Sequence, residues 1–141
     1  MTTETPEDAF RLDVRVYYED TDAGGVMYYA NYLKFFERAR TEWLRRLGVE
    51  QSDLVRQAGI LFVVKNLEIQ YRKPARLDDL LQIISRITRV GPASITFLQY
   101  AVNQDTVLCE STIQVACVQA ETLRPVPLTQ YLRNLLEKAS T

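Results

Sequence analysis

Apolar residues at every second position open the readable part of the chain. Phe10, Leu12, Val14, Val16 and Tyr18 share one face while Arg11, Asp13, Arg15 and Tyr17 take the other, the period of a half-buried strand. The run ends in Glu19-Asp20-Thr21-Asp22-Ala23-Gly24-Gly25, whose polar and glycine residues predict a turn. From Ala30 to Leu47 the period changes. Tyr32, Phe35, Phe36, Ala39, Trp43 and Leu47 recur every three or four residues, one stripe of an amphipathic helix, and Gly48 stops it. Arg45 and Arg46 suit the negative end of the helix dipole, and Glu42 is spaced to pair with Arg46. Ser52 is placed to cap a shorter helix that ends at Gly59.

After Gly59 the pattern is β-rich. Runs from Ile60 to Arg72, Leu80 to Val90, Ala93 to Val102 and Thr106 to Gln119 are separated by Pro74, by Gly91-Pro92 and by Asn103-Gln104-Asp105, which predict turns and antiparallel neighbours. Ser94, Thr96, Leu98, Tyr100 and Val102 alternate with Ile95, Phe97, Gln99 and Ala101, and elsewhere the alternation is weaker. A short helix over residues 128–138 follows Pro125 and Pro127, and residues 1–9 read as a flexible N-terminus. Strand, long helix, then antiparallel strands make an α+β domain, with a five-stranded twisted sheet wrapped around the helix so that its stripe is buried. A single helix leaves an edge strand and a sheet face uncovered, which predicts a homodimer at least.

The 141 residues suit one domain, 1–141, around one core. Lysine and arginine total 17 against 18 acidic residues, a formal net charge of −1. The overall field that gathers nucleic acid or an anionic membrane is therefore missing. No apolar run approaches the ~18–20 residues of a membrane-spanning helix, and the stretch Met1 to Ala9 lacks the apolar core of a signal peptide. Cys109 and Cys117 fall on one strand-like run, about 27 Å apart at ~3.4 Å per residue and too far for a disulfide. A reducing, cytoplasmic setting fits. More restrictive still, the chain has no histidine, which removes histidine-liganded zinc and every imidazole proton shuttle. Chemistry is left to carboxylates, backbone amides, tyrosine and lysine.

The turn between the first strand and the long helix is where such chemistry can sit. Gly24 and Gly25 let backbone approach a ligand, and the first-turn amides of the helix carry unpaired N–H groups at the positive end of its dipole. A carboxylate beside those amides can act as nucleophile or as general base while the amides stabilise an oxyanion. Spacing alone reads equally as ordinary turn and cap chemistry. By the same standard Asp20 reads as a turn-forming acceptor. Glu37 and Arg40 read as an ion pair that lets the arginine sit in the apolar stripe, and Met27, Tyr28, Phe62 and Trp43 either fill the core or line a tunnel.

The run Val16-Tyr17-Tyr18-Glu19-Asp20-Thr21-Asp22-Ala23-Gly24-Gly25-Val26-Met27-Tyr28, continued by Ala30-Asn31-Tyr32-Leu33 and by Phe36-Glu37-Arg38-Ala39-Arg40-Thr41-Glu42, resembles the signature of the hotdog-fold acyl-CoA thioesterases. The likeness is strongest to the Tol–Pal-associated YbgC type, related to 4-hydroxybenzoyl-CoA thioesterase. It extends through Tyr71 and Pro74-Ala75-Arg76-Leu77-Asp78-Asp79, hence over nearly the whole chain. It implies a hotdog fold and hydrolysis of acyl-CoA, with coenzyme A entering as part of the substrate and no metal or redox cofactor.

Residue by residue, the resemblance makes Asp22 the catalytic carboxylate, as nucleophile or general base. It puts the oxyanion-binding amide at Tyr29, where many YbgC-type members have histidine. Gly24, Gly25 and Asn31 fall on the substrate-binding loop, and Arg72 and Arg89 are candidates for the coenzyme A phosphates. Lys73, Arg76 and Arg86 are further basic candidates. Relatives form dimers, often paired into tetramers, whose sites use both chains. Two rivals stay open: a binding module for acyl carrier protein or phospholipid-synthesis enzymes, and a hotdog dehydratase or hydratase, whose relatives depend on histidine.

Overall fold

The computed structural model describes residues 9–140, so the N-terminus expected to be flexible, 1–9, lies outside the described residues except for Ala9. The elements follow the predicted order: β1 (Phe10–Arg15), a 3-10 turn (Tyr18–Asp20), α1 (Asn31–Arg46), α2 (Gln51–Asp53) running into a π-helical turn (Leu54–Ala58), β2 (Ile60–Tyr71), β3 (Leu80–Val90), β4 (Ser94–Asn103), β5 (Thr106–Gln119) and α3 (Gln130–Ala139). The strands form one five-stranded sheet in the order β1-β3-β4-β5-β2, antiparallel at every junction. This is the expected α+β hotdog arrangement, a sheet curled around α1.

Packing explains why the helix stays inside. Tyr32, Phe35, Phe36, Ala39, Trp43 and Leu44 are buried, and each large apolar side chain so removed from water contributes about 1.5–3 kcal/mol. Trp43 stacks on Phe10 with ring centroids 5.7 Å apart and meets Phe97 edge-on at 6.1 Å. The helix thereby ties β1 to β4. Leu132 and Leu136 of α3 close the same core, and Thr129 Oγ1 caps α3 by accepting the Leu132 amide at 3.2 Å. Among the described residues no helix is long and apolar enough to cross a membrane.

Several local expectations need correction. Tyr18 leaves the strand face and is 84% exposed, because the chain turns at Asp20, whose Oδ2 accepts the Tyr17 amide at 2.8 Å. Ser52 caps nothing: Glu50 stands at the N-cap of α2, while Gly59 ends the segment in the left-handed region at φ 65°. Glu42 pairs with Arg45 instead of Arg46, and Arg46 lies over the Phe10 ring at 4.8 Å.

Arg40 is the more consequential case. It is buried, as its place in the stripe required, but it makes no salt bridge to Glu37. Its Nη1 donates to Gln99 Oε1 at 3.0 Å, and Gln99 Nε2 donates to the Phe36 carbonyl and to Ser85 Oγ, both at 2.9 Å. Gln99 stands on the inward face of β4 with no apolar reason to be there; orienting Arg40 is that reason. Burial lowers the Arg40 pKa, and the Glu37 charge offsets part of that.

A bulge at Lys65 resets the facing of β2. The β2–β5 register slips between Val64 and Asn66, so the extra residue keeps Phe62 and Val64 in phase with Leu67, Ile69 and Tyr71 on the helix side. Strict alternation would have put these two groups on opposite faces. Cys109 and Cys117 are free and buried in β5.

Candidate active site

The segment between β1 and α1 folds back on itself. Thr21 bridges Met27, Val26 bridges Arg76, and the Met27 amide donates to the Ala75 carbonyl at 2.8 Å. At the tip, the Asp22 amide donates to the Val26 carbonyl at 2.9 Å and the Gly25 amide to the Asp22 carbonyl at 3.0 Å. Gly25 has φ 79°, a conformation costly for any residue with a Cβ.

This turn holds the Asp22 carboxylate by one oxygen. Oδ1 accepts the Gly24 amide at 2.8 Å and the Val26 amide at 3.4 Å, while Oδ2 has no partner among the described residues. A Cβ on Gly24 would sit 3.3 Å from Asp22 Oδ1, so glycine there keeps the carboxylate in place. The side chain is exposed, which leaves Oδ2 accessible to water or substrate.

The start of α1 has an unusual hydrogen-bond account. Ala30 is the N-cap, with no side-chain capping bond. The amides of Asn31, Tyr32 and Leu33 donate to the carbonyls of Tyr28, Tyr29 and Ala30 at 3.1, 3.4 and 3.1 Å. The amides of Tyr28, Tyr29 and Ala30 themselves find no acceptor among the described residues. Orphan N–H groups at the positive end of a helix attract an oxyanion.

Tyr29, 72% exposed, is held by β2. Tyr71 Oη donates to the Tyr29 carbonyl at 3.2 Å, and the rings lie 4.9 Å apart. Tyr71 in turn contacts the buried Tyr32 ring at 5.6 Å, and Tyr32 Oη accepts the Ala75 amide at 3.2 Å. Burial raises the pKa of both Tyr71 and Tyr32, with nearby Cys109 adding to the rise, so both remain donors at neutral pH. These rings, with Val26, Met27, Arg72 and Pro74, line a cleft of about 260 Å³ beside the loop.

Of the predicted site residues, Asp22, Gly24, Gly25 and Tyr29 share this loop. Arg72 borders the cleft, although its guanidinium also pairs with Glu110 at 2.9 Å. Arg89 stands near the far end of β3, next to its turn into β4, away from the loop of its own chain. Asn31 is fully buried, and its Nδ2 and Oδ1 both lack partners; it neither caps the helix nor opens onto the cleft. The sequence marks Tyr32 as a core residue and as part of the family likeness, and Tyr71 only as part of that likeness. Their joint role is hidden by the Lys65 bulge, which obscures the facing of Tyr71.

Residues 16–136 match the profile of the thioesterase-like superfamily. The chain belongs to that superfamily. It is 48% identical over 120 residues to the acyl-CoA thioesterase YbgC of Haemophilus influenzae, covering 85% of this chain and 88% of that one. The crystal structure of a probable thioesterase from Bartonella henselae superposes with a TM-score of 0.80 at 36% identity, over 85% of this chain and 98% of that one. A 1,4-dihydroxy-2-naphthoyl-CoA thioesterase from Synechocystis shares the fold, with a TM-score of 0.84 at 19% identity over 91% and 95% of the two chains. The superfamily likeness thus covers the Asp22 loop, α1 and strands β2 to β5 together.

Proposed function

We propose that this superfamily member hydrolyses acyl-CoA thioesters, releasing a free acid and coenzyme A. The observation that carries the reading is the pairing, on one loop, of a half-held carboxylate at Asp22 with the unpartnered amides of Tyr28, Tyr29 and Ala30. Asp22 Oδ2 takes a proton from water as the water oxygen attacks the thioester carbonyl carbon. The carbonyl oxygen becomes an oxyanion that accepts the Tyr29 N–H. Collapse breaks the carbon–sulfur bond, and the proton held on Asp22 passes to the departing thiolate. A second course begins with Asp22 Oδ2 attacking the carbonyl to form an acyl anhydride, which water then opens. Single-turnover reaction in ¹⁸O-water separates them, because only the anhydride course can label the enzyme carboxylate.

Gly24 and Gly25 let the loop backbone approach the acyl group. Arg72 and Lys73, which line the cleft, take the coenzyme A phosphates in this reading. Arg89 serves that role only from a second copy. The working unit is therefore a dimer, or a pair of dimers, formed in the cytoplasm along β2, whose outer backbone edge is open and whose Val64 and Tyr71 are 48% and 43% exposed. No metal or redox cofactor takes part. Thiol release across an acyl-CoA panel tests the reading: turnover that vanishes in Asp22→Asn supports it. Absence of turnover, with retained affinity for acyl carrier protein, would favour the binding-module reading, and hydration of an enoyl-CoA would favour the hydratase.

A further inference from the structure

The peptide joining Tyr29 to Ala30 is held from the helix and from the sheet. Its N–H, on Ala30, is one of the amides at the start of α1 with no acceptor among the described residues. Its carbonyl is on Tyr29. In a regular α-helix that carbonyl takes the amide four residues on, but the Leu33 amide donates to Ala30 at 3.1 Å, and the Tyr29 carbonyl receives the Tyr32 amide only at 3.4 Å. The capacity this leaves is met from β2, where Tyr71 Oη donates to the same oxygen at 3.2 Å.

Rigid structure fixes that phenol. Tyr71 is the last residue of β2 and stands opposite the buried Cys109 of β5. Just beyond it the amides of Arg72 and Lys73 both donate to the Leu108 carbonyl, at 2.8 and 3.2 Å, which ties the strand end to β5. The Tyr71 ring rests against Tyr29 and Tyr32, and Tyr32 is pinned in turn by the Ala75 amide. Phenylalanine would make the same ring contacts. The hydroxyl is the part that needs a reason, because a side chain 43% exposed has water at hand and yet turns to a backbone carbonyl.

We propose that Tyr71 is a positioning residue of the reaction: its hydroxyl orients and polarises the Tyr29–Ala30 peptide, so that the Ala30 N–H joins the Tyr29 N–H in binding the oxyanion. The inference rests on the thioesterase reading. A peptide is one conjugated unit, and a hydrogen bond received at its oxygen makes its N–H a stronger donor. The gain is greatest when charge has developed on the substrate oxygen, so its loss falls on kcat and not on KM. Ionisation of Tyr71 has the same effect as removing the hydroxyl, since a phenolate has no proton to donate. The groups facing the phenol are Tyr29 and Tyr32 from the start of α1, Cys109 from β5, and Arg72 and Lys73 from the chain that follows. Burial holds the Tyr71 proton above the ordinary phenol range, so the donor is in place at neutral pH and is lost only in strongly alkaline solution.

Tyr71→Phe tests this with two independent readouts on the full chain. In protein carrying ¹³C-carbonyl tyrosine and ¹⁵N-alanine, only the Tyr29–Ala30 and Tyr100–Ala101 peptides join the two labels. The substitution should move the Ala30 ¹⁵N resonance upfield, as its carbonyl loses a donor, and leave Ala101 in place as the internal control. In thiol release from acyl-CoA, kcat is expected to fall about tenfold, with KM and the melting temperature near wild type. A pH profile separates positioning from packing. 3,5-Difluorotyrosine at position 71, a more acidic phenol in the same place, should bring the alkaline fall of kcat to lower pH, and Tyr71→Phe should remove it. An unmoved Ala30 resonance, an unchanged kcat, or an alkaline fall indifferent to the group at position 71 would overturn the proposal while wild-type turnover kept the hydrolase reading intact. If wild type turns over no acyl-CoA although the Ala30 resonance moves, the hydrolase reading falls, and the oxyanion role with it, while the polarised amide stands.

Discussion

The N-terminal end of α1 has no side-chain cap, a run of amides without acceptors and an exposed tyrosine, whereas its C-terminal end is closed on every count. There the Leu47 amide returns to the Trp43 carbonyl at 3.0 Å, Gly48 to Arg45 at 3.0 Å and Val49 to Leu44 at 2.8 Å. Trp43 stacks on Phe10, and Arg46 lies over that same ring. One helix thus ends in unmet hydrogen-bonding capacity and in packed, satisfied structure. Under the proposed hydrolysis, stability and chemistry are assigned to opposite ends of it. Satisfied groups hold the fold, and groups left unmet by the chain are the ones a reacting carbonyl can use.

Substitution at the two ends should separate these properties. Asp22→Asn is expected to lower kcat by roughly 10²–10⁴ with an unchanged melting temperature; a wild-type rate in the thiol-release assay would break the contrast at its open end. Trp43→Ala should do the reverse, losing about 3–5 kcal/mol of stability in urea unfolding while the rate per folded molecule stays near wild type. A large fall in kcat in the folded fraction would show that the closed end also serves chemistry.

The sheet beneath the open end sets an alkaline limit. Burial pushes the Cys109 thiol up to about 12, and Cys109 pairs with Tyr71 across the β2–β5 ladder. A raised pKa means the folded state holds its proton longer than the unfolded chain. Its stabilising contribution is therefore complete below the ordinary thiol range near 9 and is lost as pH rises toward 12, at about 1.4 kcal/mol per pH unit. Unfolding curves between pH 8 and 11 should show that slope in wild type and a shallower one in Cys109→Ala.

Two glycines make a matched test. Gly25 and Gly48 have φ 79° and 92°, and a Cβ on either meets no atom within 4 Å. Alanine at each should cost about 1–2 kcal/mol from backbone strain alone. Only Gly25→Ala should also lower kcat, since it displaces the turn that holds Asp22; equal kcat values in the two variants would deny the loop its special role. The smallest effect is expected from Tyr29→Phe. If the backbone amide does the work, kcat changes by less than about threefold, and a large loss would bring the phenol into the reaction.

Much of this is legible before folding because it is local. The apolar stripe from Tyr32 to Trp43, the stop at Gly48, the turn at Gly91-Pro92 and the order of elements all follow from side-chain period and from backbone torsions open to particular residues. The loop around Asp22 is legible for the same reason. Its carboxylate, its glycines and its helix start are neighbours in the chain. Phases that depend on partners are not. Alternation puts Tyr18 on the strand face, and the turn at Asp20 moves it into solvent. Helical spacing pairs Arg40 with Glu37, three residues away, yet its guanidinium finds Gln99, fifty-nine residues on.

Sequence alone was enough for the set of elements, the helix face that is buried and the presence of a carboxylate beside a helix N-terminus in a chain without histidine. Tertiary structure was needed to show that Tyr71 supports Tyr29, that Gln99 orients Arg40, that Asn31 is buried without partners and that β2 is left as an edge. Period and torsion are properties of a few adjacent residues. Hydrogen-bond satisfaction and sheet order depend on which distant groups arrive together, and a single added residue at Lys65 is enough to change which side chains face the helix.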